Sequence, residues 1–291
     1  QLTSLLATLG PQIAELQIAD VSVMVVDNDP DGDSAAGCAQ AAGAIYIAEP
    51  TPGIAAVRNR ALDSALGFDA LIFIDDDEVP QPLWLEQLVQ KYISTGADAV
   101  AGRVETVFPD EADPWVRASG AFQRPQRVDG QVIPEVATNN LLLDLAAVRD
   151  TGLRFDERFG LSGGSDSLFT REFTKRGKHI VWAQHAAVLE QEDASRFTRA
   201  WVLQRYYRFG NTRARVDILT TDGSTAFARV RAVAKGTLRV SGGGAKSFLG
   251  AVTRSLSRRA HGERTMAIGR GMIAAAFGSV YLEYALRRSE K

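Results

Sequence analysis

Four consecutive acidic residues, Asp75–Glu78, are the most chemically suggestive feature of the sequence. They directly follow the apolar run Leu71–Ile74, which is typical of a buried strand. Ligands of open α/β sheets bind at the carboxyl ends of strands, and neighbouring carboxylates repel one another unless a cation neutralises them. Mg²⁺ and Mn²⁺ prefer such oxygen ligands. The run therefore predicts a divalent metal site, in preference to an acidic turn that merely caps the following helix.

Two further features precede this run. An acidic loop at 27–33 follows the apolar run Val21–Val26, so Asp27 also stands at the carboxyl end of a predicted strand. Its alternative is an ordinary turn rich in Asp and Gly. Arg58 lies in a helix predicted over 54–66, where a guanidinium could contact a phosphate or a base. Spacing alone favours a surface arginine.

Two features follow it. Gly163 and Gly164 form a bend that allows close approach of a substrate, and Asp166 behind them could accept a proton from a hydroxyl or simply cap a helix. Arg205 and Arg208 flank two tyrosines. They could grip a diphosphate, a sugar or single-stranded nucleic acid, or could belong to an amphipathic basic helix.

The elements that must position these residues alternate between helix and strand. The patterns predict a helix almost from residue 1 and then strands and helices in turn: strands over 21–26, 44–48, 70–74 and 98–102, and helices over 35–42, 54–66 and 80–92. A strand over 138–143, helices over 146–151 and 167–176 and a short strand over 179–182 follow. This order predicts an α/β fold with a mostly parallel sheet. From residue 196 the pattern is helical, with a break at Gly242–Gly244.

Composition and charge limit the function classes. Hydrophobic residues make up 45% and charged residues 23% of the 291 residues, which excludes a disordered, collagen-like or coiled-coil chain. A single cysteine, Cys38, excludes a disulfide framework and a thiolate-rich zinc site, and predicts a reducing, cytoplasmic setting. Residues 1–195 carry a net charge of −16 and residues 196–291 a net charge of +14. The basic part predicts an anionic partner such as a membrane surface.

One apolar segment, 266–286, needs separate treatment. Its uncharged stretch, 271–282, is too short to span a bilayer. It could lie at a membrane interface or form a core helix of a C-terminal bundle, and the sequence favours neither.

Taken together, the motifs carry a family resemblance through their order along the chain: Asp27-Asn28, Arg58-Asn59, Phe73–Glu78, Pro82-x-Trp84-Leu85, Thr138–Asn140, Phe155–Phe159 and Gly163–Asp166. This order resembles the family 2 glycosyltransferases of GT-A fold over about residues 1–215. The tail, with Met266-x-x-Gly269-Arg270 and Tyr281-x-Glu283-Tyr284, is similar to bacterial exopolysaccharide glycosyltransferases of the succinoglycan type.

The resemblance implies an inverting sugar transfer from a nucleotide diphosphate donor, UDP-linked by expectation. It implies that Asp166 is the base and that Asp77 ligates Mn²⁺ or Mg²⁺. It assigns donor binding to a set of six residues: Asp27, Arg58, Asp75, Asp76, Arg205 and Arg208. It assigns acceptor binding to Asn140, Gly163 and Gly164.

The same resemblance implies a domain plan and a setting. Residues 1–103 would bind the donor, 104–195 would bind the acceptor and carry the catalytic residue, and 196–291 would form a basic helical extension. The acceptor would be a lipid-linked or polysaccharide glycan of cell-envelope or exopolysaccharide synthesis, reached from the inner face of the membrane. The chain departs from the family in two ways: Ser165 stands where the family often has Glu, and the family's first strand would precede residue 1.

Three other interpretations stay open. A nucleotidyltransferase would use the same acidic metal site and release pyrophosphate. A catalytically inactive glycosyltransferase-like module would bind a ligand without turnover. Nucleic-acid binding by the tail is disfavoured, because it offers few aromatic residues for base stacking.

Overall fold

The structure, a computed structural model, describes residues 1–29, 35–109 and 112–281. The chain divides into two compact units. The first comprises residues 1–107, 124–161 and 165–191, and the second comprises 108–123, 162–164 and 192–291. The division of the first unit's functions between a donor half and an acceptor half stays a prediction.

The helices and strands of the described residues follow one another in largely alternating order up to residue 190. The helices are α1 (Leu2–Glu15), α2 (Ala36–Ala41), α3 (Ile54–Ser64), α4 (Trp84–Thr95), α5 (Pro114–Ser119), α6 (Leu145–Thr151), α7 (Ser165–Lys175), α8 (Arg199–Leu219), α9 (Thr225–Val252) and α10 (Leu256–Ala276). The strands are β1 (Met24–Asp27), β2 (Ile45–Ala48), β3 (Ala70–Ile74), β4 (Glu78–Pro80), β5 (Ala99–Thr106), β6 (Val132–Ile133), β7 (Asn140–Asp144) and β8 (Ile180–Glu190).

The main sheet has the strand order β3-β7-β5-β8-β4, and β6 pairs with β8. β5 and β8 are parallel, whereas β7 runs antiparallel to both of its neighbours, β3 and β5. β3 and β5 therefore point in the same direction as β8. The predicted α/β class is confirmed, and three strands of the main sheet, β4, β6 and β7, run opposite to β3, β5 and β8.

Side chains of this sheet alternate between two hydrophobic layers. In β7, Leu141 and Leu143 pack with α3, α6 and α7, whereas Leu142 packs with α1 and α4 on the opposite face. This alternation follows from the two-residue period of a strand. Because helices cover both faces, β7 is apolar at consecutive positions and reads in the sequence as a continuous hydrophobic run.

A separate small sheet holds the first acidic loop. β1 and β2 pair in parallel with each other, and no described residue pairs β1 with β3.

Two sequence expectations about boundaries were wrong. The helix expected from Pro80 begins at Trp84, because Glu78–Pro80 instead forms β4, which pairs with residues 188–190 of β8. The strand expected over 179–182 extends as β8 to Glu190, since it pairs with β5 on one side and β4 on the other.

The second unit is mainly helical. The predicted break at Gly242–Gly244 was wrong, because α9 runs without interruption through all three glycines. A Cβ atom on Gly243 would lie 2.7 Å from the carbonyl oxygen of Gly262 in α10. The absence of side chains thus lets α9 and α10 approach closely, and this packing outweighs the low helix propensity of glycine.

Helix α10 settles part of the question about the segment 266–286. Gly271, Met272, Ala275 and Ala276 are buried, which supports the core-helix interpretation for the part up to Ala276, whereas Phe277 and Val280 beyond the helix are exposed. Residues 282–291, with the tail motif at Glu283 and Tyr284, lie outside the described residues. Within the described chain, no helix is both long and apolar enough to cross a membrane.

Candidate active site

The acidic run forms a tight turn between β3 and β4. The backbone amide of Asp75 donates to Oε2 of Glu78 at 3.1 Å, and the amide of Glu78 donates to the carbonyl of Asp75 at 3.1 Å. The amide of Gln191 donates to the carbonyl of Asp77 at 3.0 Å. The turn is therefore fixed through its backbone, and its side chains are held at the carboxyl end of β3.

Glu78 is the buried member of the run, with 1% of its surface exposed. Its Oε1 accepts a hydrogen bond of 2.7 Å from Nδ2 of Asn139. Burial, with the charge of Asp75 as a secondary cause, raises the pKa of Glu78 well above its usual value. Glu78 therefore organises the turn from beneath rather than facing solvent.

Glu190, at the end of β8, adds another carboxylate beside the turn. It is the register partner of Glu78 in the β4–β8 pair. Its Oε1 accepts from Arg124 at 2.9 Å and its Oε2 accepts from the hydroxyl of Thr106 at 2.7 Å. The Arg124 guanidinium balances part of the negative charge at this edge.

The pKa of Asp75 is influenced by several of the other predicted site residues. Burial is the largest cause that raises its pKa, and the charges of Asp166, Asp76 and Glu190 raise it further, while Arg58 lowers it. Coulombic effects of this kind act over short distances. The Asp75 carboxyl is therefore influenced by Arg58 of α3 and Asp166 of α7, and Arg58 also contacts Ser165, the neighbour of Asp166.

Arg58 reaches this site from α3. It is 9% exposed, so the interpretation as a surface arginine was wrong. Its Nη1 donates to Oγ of Ser165 at 3.2 Å, and its guanidinium lies 5.6 Å from the ring centre of Phe155. The next residue, Asn59, exchanges two 2.9 Å hydrogen bonds with the backbone of Phe155. These bonds anchor α3 and fix the direction of Arg58.

Asp166 lies in the first turn of α7, beside the fully buried Ser165. Its Oδ1 accepts from the amide of Ser167 at 2.7 Å, and its carbonyl accepts from the hydroxyl of Thr170 at 2.9 Å. The helix begins at Ser165, so Asp166 stands inside the helix rather than at the capping position. A carboxylate there is stabilised by the helix dipole. Its second oxygen, Oδ2, accepts no hydrogen bond from a backbone amide of the same turn.

Asp27 organises the loop after β1. Its Oδ2 accepts from the hydroxyl of Tyr46 at 3.1 Å and from the amide of Ala35 at 3.2 Å. Asn28 beside it accepts from the amide of Gly53, which connects the loop to the start of α3 and hence to Arg58. The amide of the next acid, Asp29, donates to Oδ1 of Asp27 at 3.0 Å, and Asp31 and Asp33 lie outside the described residues.

Asn140 supports the fold. Its Oδ1 accepts from the indole of Trp84 at 2.9 Å, and its Nδ2 donates to the carbonyls of Arg103 and Ala186 at 3.0 and 2.9 Å. Both amide hydrogens are thereby used, which leaves none for the acceptor contact that the resemblance implies.

Four of the predicted residues belong to the second unit. Gly163 and Gly164 have φ values of 72° and 101°, a conformation that favours glycine. Nη1 of Arg205 pairs with Glu192 at 3.0 Å, and its guanidinium stacks against the rings of Phe122, Trp201 and Phe209. Arg208 lies 5.5 Å from the ring centre of Phe209. A role for Arg205 in donor binding would have to include breaking or sharing the Glu192 ion pair.

A small cavity of about 180 Å³ adjoins the acidic turn within the first unit. Arg124, Arg127, Asn139 and Trp182 contribute to its lining. The guanidinium of Arg127 lies 5.5 Å from the ring centre of Trp182. The Asn139–Glu78 hydrogen bond forms the link between this cavity and the turn.

The side chains that could ligate a metal ion at this site fit a divalent cation only in part. The described residues contain no group of three or more His, Cys, Asp or Glu side chains that could hold a metal ion by themselves. Mg²⁺ often uses one or two carboxylates together with substrate phosphates. Burial is the main cause that raises the pKa of Asp75, the charges of neighbouring acids add to it, and a bound cation would favour the ionised carboxylate. Asp77 and Asp75 are therefore candidates to share an ion with a bound diphosphate.

Sequence reasoning missed Glu190, Asn139 and Ser165 as parts of this site. Glu190 carries a signal that could have found it: like Asp75, it ends an apolar strand. Asn139 and Ser165 lie inside motifs that carry the family resemblance, but their roles depend on long-range partners, Glu78 and Arg58.

Comparison with known proteins agrees with this geometry. The family model Glycosyl transferase family 2 matches residues 2–152, about half of the chain. The chain belongs to this family, and the expectation of a glycosyltransferase is confirmed at this level.

Individual relatives sharpen the comparison. The succinoglycan biosynthesis protein ExoM of Rhizobium meliloti (strain 1021) is 34% identical over 174 residues, which cover 59% of this chain and 55% of ExoM. The chain thus matches about half the length of this relative. The S. aureus TarS structure in complex with UDP has a TM-score of 0.52 at 15% identity, covering 96% of this chain and 88% of that one. The TarS complex with UDP-GlcNAc has a TM-score of 0.50 at 18% identity, covering 78% and 65%. At these identities the TarS structures support the fold alone.

Proposed function

We propose that this protein transfers a sugar from a nucleoside diphosphate donor to a hydroxyl group of a glycan acceptor, with inversion at the anomeric carbon. The proposal is supported by two observations: the charges of Arg58 and Asp166 act on Asp75 at the carboxyl end of β3, and Arg58 donates a hydrogen bond to Ser165, the neighbour of Asp166. An anionic leaving group and a hydroxyl nucleophile need this combination of a cation, a metal-binding acid and a base.

The proposed roles follow from the chemistry of the displacement. The acceptor oxygen forms a bond to the anomeric carbon, the bond from that carbon to the donor phosphate breaks, and the nucleoside diphosphate leaves. Asp166 accepts the hydroxyl proton on the face opposite the leaving group. Arg58 offers positive charge to the diphosphate. Asp77 and Asp75 would hold Mn²⁺ or Mg²⁺, which when bound neutralises charge that develops on the diphosphate.

The donor is proposed to be a UDP-sugar. TarS, which shares the fold, was solved with UDP and with UDP-GlcNAc, and this supports the choice of nucleotide without fixing it for this chain. Asp27 would contact the nucleobase, because its loop is connected through Asn28 and Gly53 to the helix that carries Arg58. Asp76 and the second unit's Arg205 and Arg208 would complete donor binding.

The acceptor is proposed to be a lipid-linked or polysaccharide glycan of cell-envelope or exopolysaccharide synthesis. The similarity to a succinoglycan biosynthesis protein supports this substrate class. Gly163 and Gly164, which have backbone conformations open to close approach, would lie against the acceptor. The net charge of +14 over residues 196–291 supports an anionic membrane surface as partner, and the single cysteine supports a cytoplasmic setting at its inner face.

The assignment of roles can be tested by donor hydrolysis. UDP release from a panel of UDP-sugars would be measured with Mn²⁺ or Mg²⁺ for wild type, Asp77→Ala and Asp166→Asn. Asp69→Asn is a matched control, because Asp69 is an exposed acid that precedes β3 at its opposite end. We expect metal-dependent release by wild type and the control, and a loss of at least about a hundredfold in both site variants.

Two outcomes would contradict the roles. Release that is lost only in Asp77→Ala would remove Asp166 as the base. Folded protein that binds UDP but releases none from any sugar donor or acceptor mixture would favour a binding module without turnover. Circular dichroism of each variant establishes that the fold is retained.

A further inference from the structure

Helix α9 exposes several large apolar side chains along one face. Three of the most exposed are Phe227, Leu238 and Phe248, with 70%, 74% and 72% of their surface accessible. Globular proteins seldom leave aromatic and aliphatic residues exposed in a row along one helix. The members of this apolar face are Phe227, Val230, Leu238, Phe248, Leu249 and Val252.

The opposite side of α9 explains why this row points outward. Ala232, Gly236, Gly243 and Gly250 are buried, and the three glycines lie against backbone of α10. At 3.6 residues per turn, the apolar face falls within an arc of about 100° centred opposite this packed side. The helix thus has one side that packs on α10 and an opposite side that is apolar and exposed. Within the described part of the second unit, no other element covers this exposed side.

The charge of α9 is entirely of one sign. Its 28 residues include five basic residues and no acidic residue. Four of the basic residues fall on one flank, between the packed side and the apolar face: Arg231, Lys235, Arg239 and Lys246. The fifth, Arg229, donates a hydrogen bond to the carbonyl of Ala276 in α10. A basic flank beside an apolar face is the pattern of helices that lie in the plane of an anionic membrane surface.

We propose that α9 lies flat on an anionic lipid bilayer, with its apolar face between the headgroups and the acyl chains and its basic flank on the headgroup phosphates. The helix is about 42 Å long, so it would place the whole apolar face at one depth. Two copies of the face docked on each other would bring together two helices that carry only positive charge, which argues against self-association. This inference deepens the membrane part of the proposed function and is independent of the transfer reaction.

The first arm of the test measures vesicle binding directly. The full chain would be mixed with phosphatidylcholine vesicles containing 0 or about 30% phosphatidylglycerol, and bound protein would be separated by flotation at low and high salt. We expect wild type to float with the anionic vesicles and to lose most binding at high salt. Binding equal on both vesicle types, or none on either, would overturn the proposal.

Substitutions distinguish a specific role of the apolar face from the effect of exposed apolar residues in general. The triple variant Phe227→Gln, Leu238→Gln, Phe248→Gln should weaken the vesicle partition constant at least about a hundredfold. The matched control Leu66→Gln, Val128→Gln removes two residues that are 75% exposed in the first unit, and it should leave binding unchanged. Arg231→Gln with Lys235→Gln should weaken binding about tenfold or more. Equal effects of the face variant and the control would refute the assignment.

A second arm of the test measures insertion of α9 into the bilayer, and its result does not depend on the stability of the variants. In a Cys38→Ser background, an environment-sensitive dye on Leu238→Cys should shift its emission to the blue on anionic vesicles, and the same dye on Leu66→Cys should not. Light scattering without vesicles tests the rival occupant, a second copy of the chain. A dimer that is dispersed by the triple variant, together with no dye shift on vesicles, would overturn the proposal in favour of self-association.

Discussion

Adjacent glycines in α9 provide a matched test of how the second unit is held together. A Cβ atom added at Gly243 would lie 2.7 Å from the carbonyl oxygen of Gly262 and 2.9 Å from Cγ and the backbone nitrogen of Met266. A Cβ atom added at Gly242 would meet nothing within 4 Å. Alanine therefore has the same effect on helix propensity at the two positions, but only alanine at position 243 disturbs the packing against α10.

The expected magnitudes follow from these two terms. Alanine is more favourable than glycine inside a helix by about 1 kcal/mol, so Gly242→Ala should raise the free energy of unfolding by about that amount. Gly243→Ala gains the same term, but the clash is with backbone and forces α9 away from α10. Overpacking of this kind costs about 1–3 kcal/mol. The two variants should therefore differ by about 1–3 kcal/mol, with Gly243→Ala the less stable.

Urea unfolding followed by circular dichroism at 222 nm would measure both variants beside wild type. The helical signal reports on both units, with a little over half of the helical residues in α5, α8, α9 and α10 of the second unit. Equal stabilisation by Gly242→Ala and Gly243→Ala would refute the reasoning, because it would show that α9 and α10 do not pack through the glycine face.

Three further predictions concern single side chains. Burial raises the pKa of Glu78, so the folded state keeps a proton that the unfolded chain releases above the usual pKa of 4.5. In chelating buffer the free energy of unfolding should therefore fall as the pH rises from that value toward neutrality. In thermal melts at several pH values, Glu78→Gln should show a flatter dependence than wild type. Asn140→Leu should lower the free energy of unfolding by about 2–4 kcal/mol in urea titrations, because it leaves the Trp84 indole and two carbonyls without partners. Arg205→Lys should lower it by about 1–2 kcal/mol in the same assay, since lysine loses the planar stacking on three rings while it retains a charge for Glu192; an unchanged midpoint would contradict the structural role of that stack.

Local sequence patterns predicted an element correctly where the burial of one helix face or of one strand determined its structure. The apolar run before Asp75 predicted β3 and placed the acids at its carboxyl end, because burial on both sides leaves a continuous hydrophobic signature. The apolar spacing from Leu2 to Ile13 likewise predicted α1.

Long-range pairing could not be read in the same way. β4 and the second half of β8 exist because Glu78–Pro80 meets residues 188–190, a partnership that no local pattern records. The burial of Arg58 depends on Ser165, more than a hundred residues away. The glycines of α9 resembled a helix break, since only the neighbouring α10 shows that they form a packing face.

The central claim, that the site at the carboxyl end of β3 transfers a sugar rather than a nucleotide, is tested most directly by product identity. Wild-type protein would be incubated with Mn²⁺ or Mg²⁺ and either UDP-sugars or nucleoside triphosphates with sugar phosphates, and both UDP and pyrophosphate would be quantified. The account predicts metal-dependent UDP release from a UDP-sugar and no pyrophosphate. Pyrophosphate release that is abolished by Asp77→Ala, without UDP release from any donor, would contradict it and identify a nucleotidyltransferase.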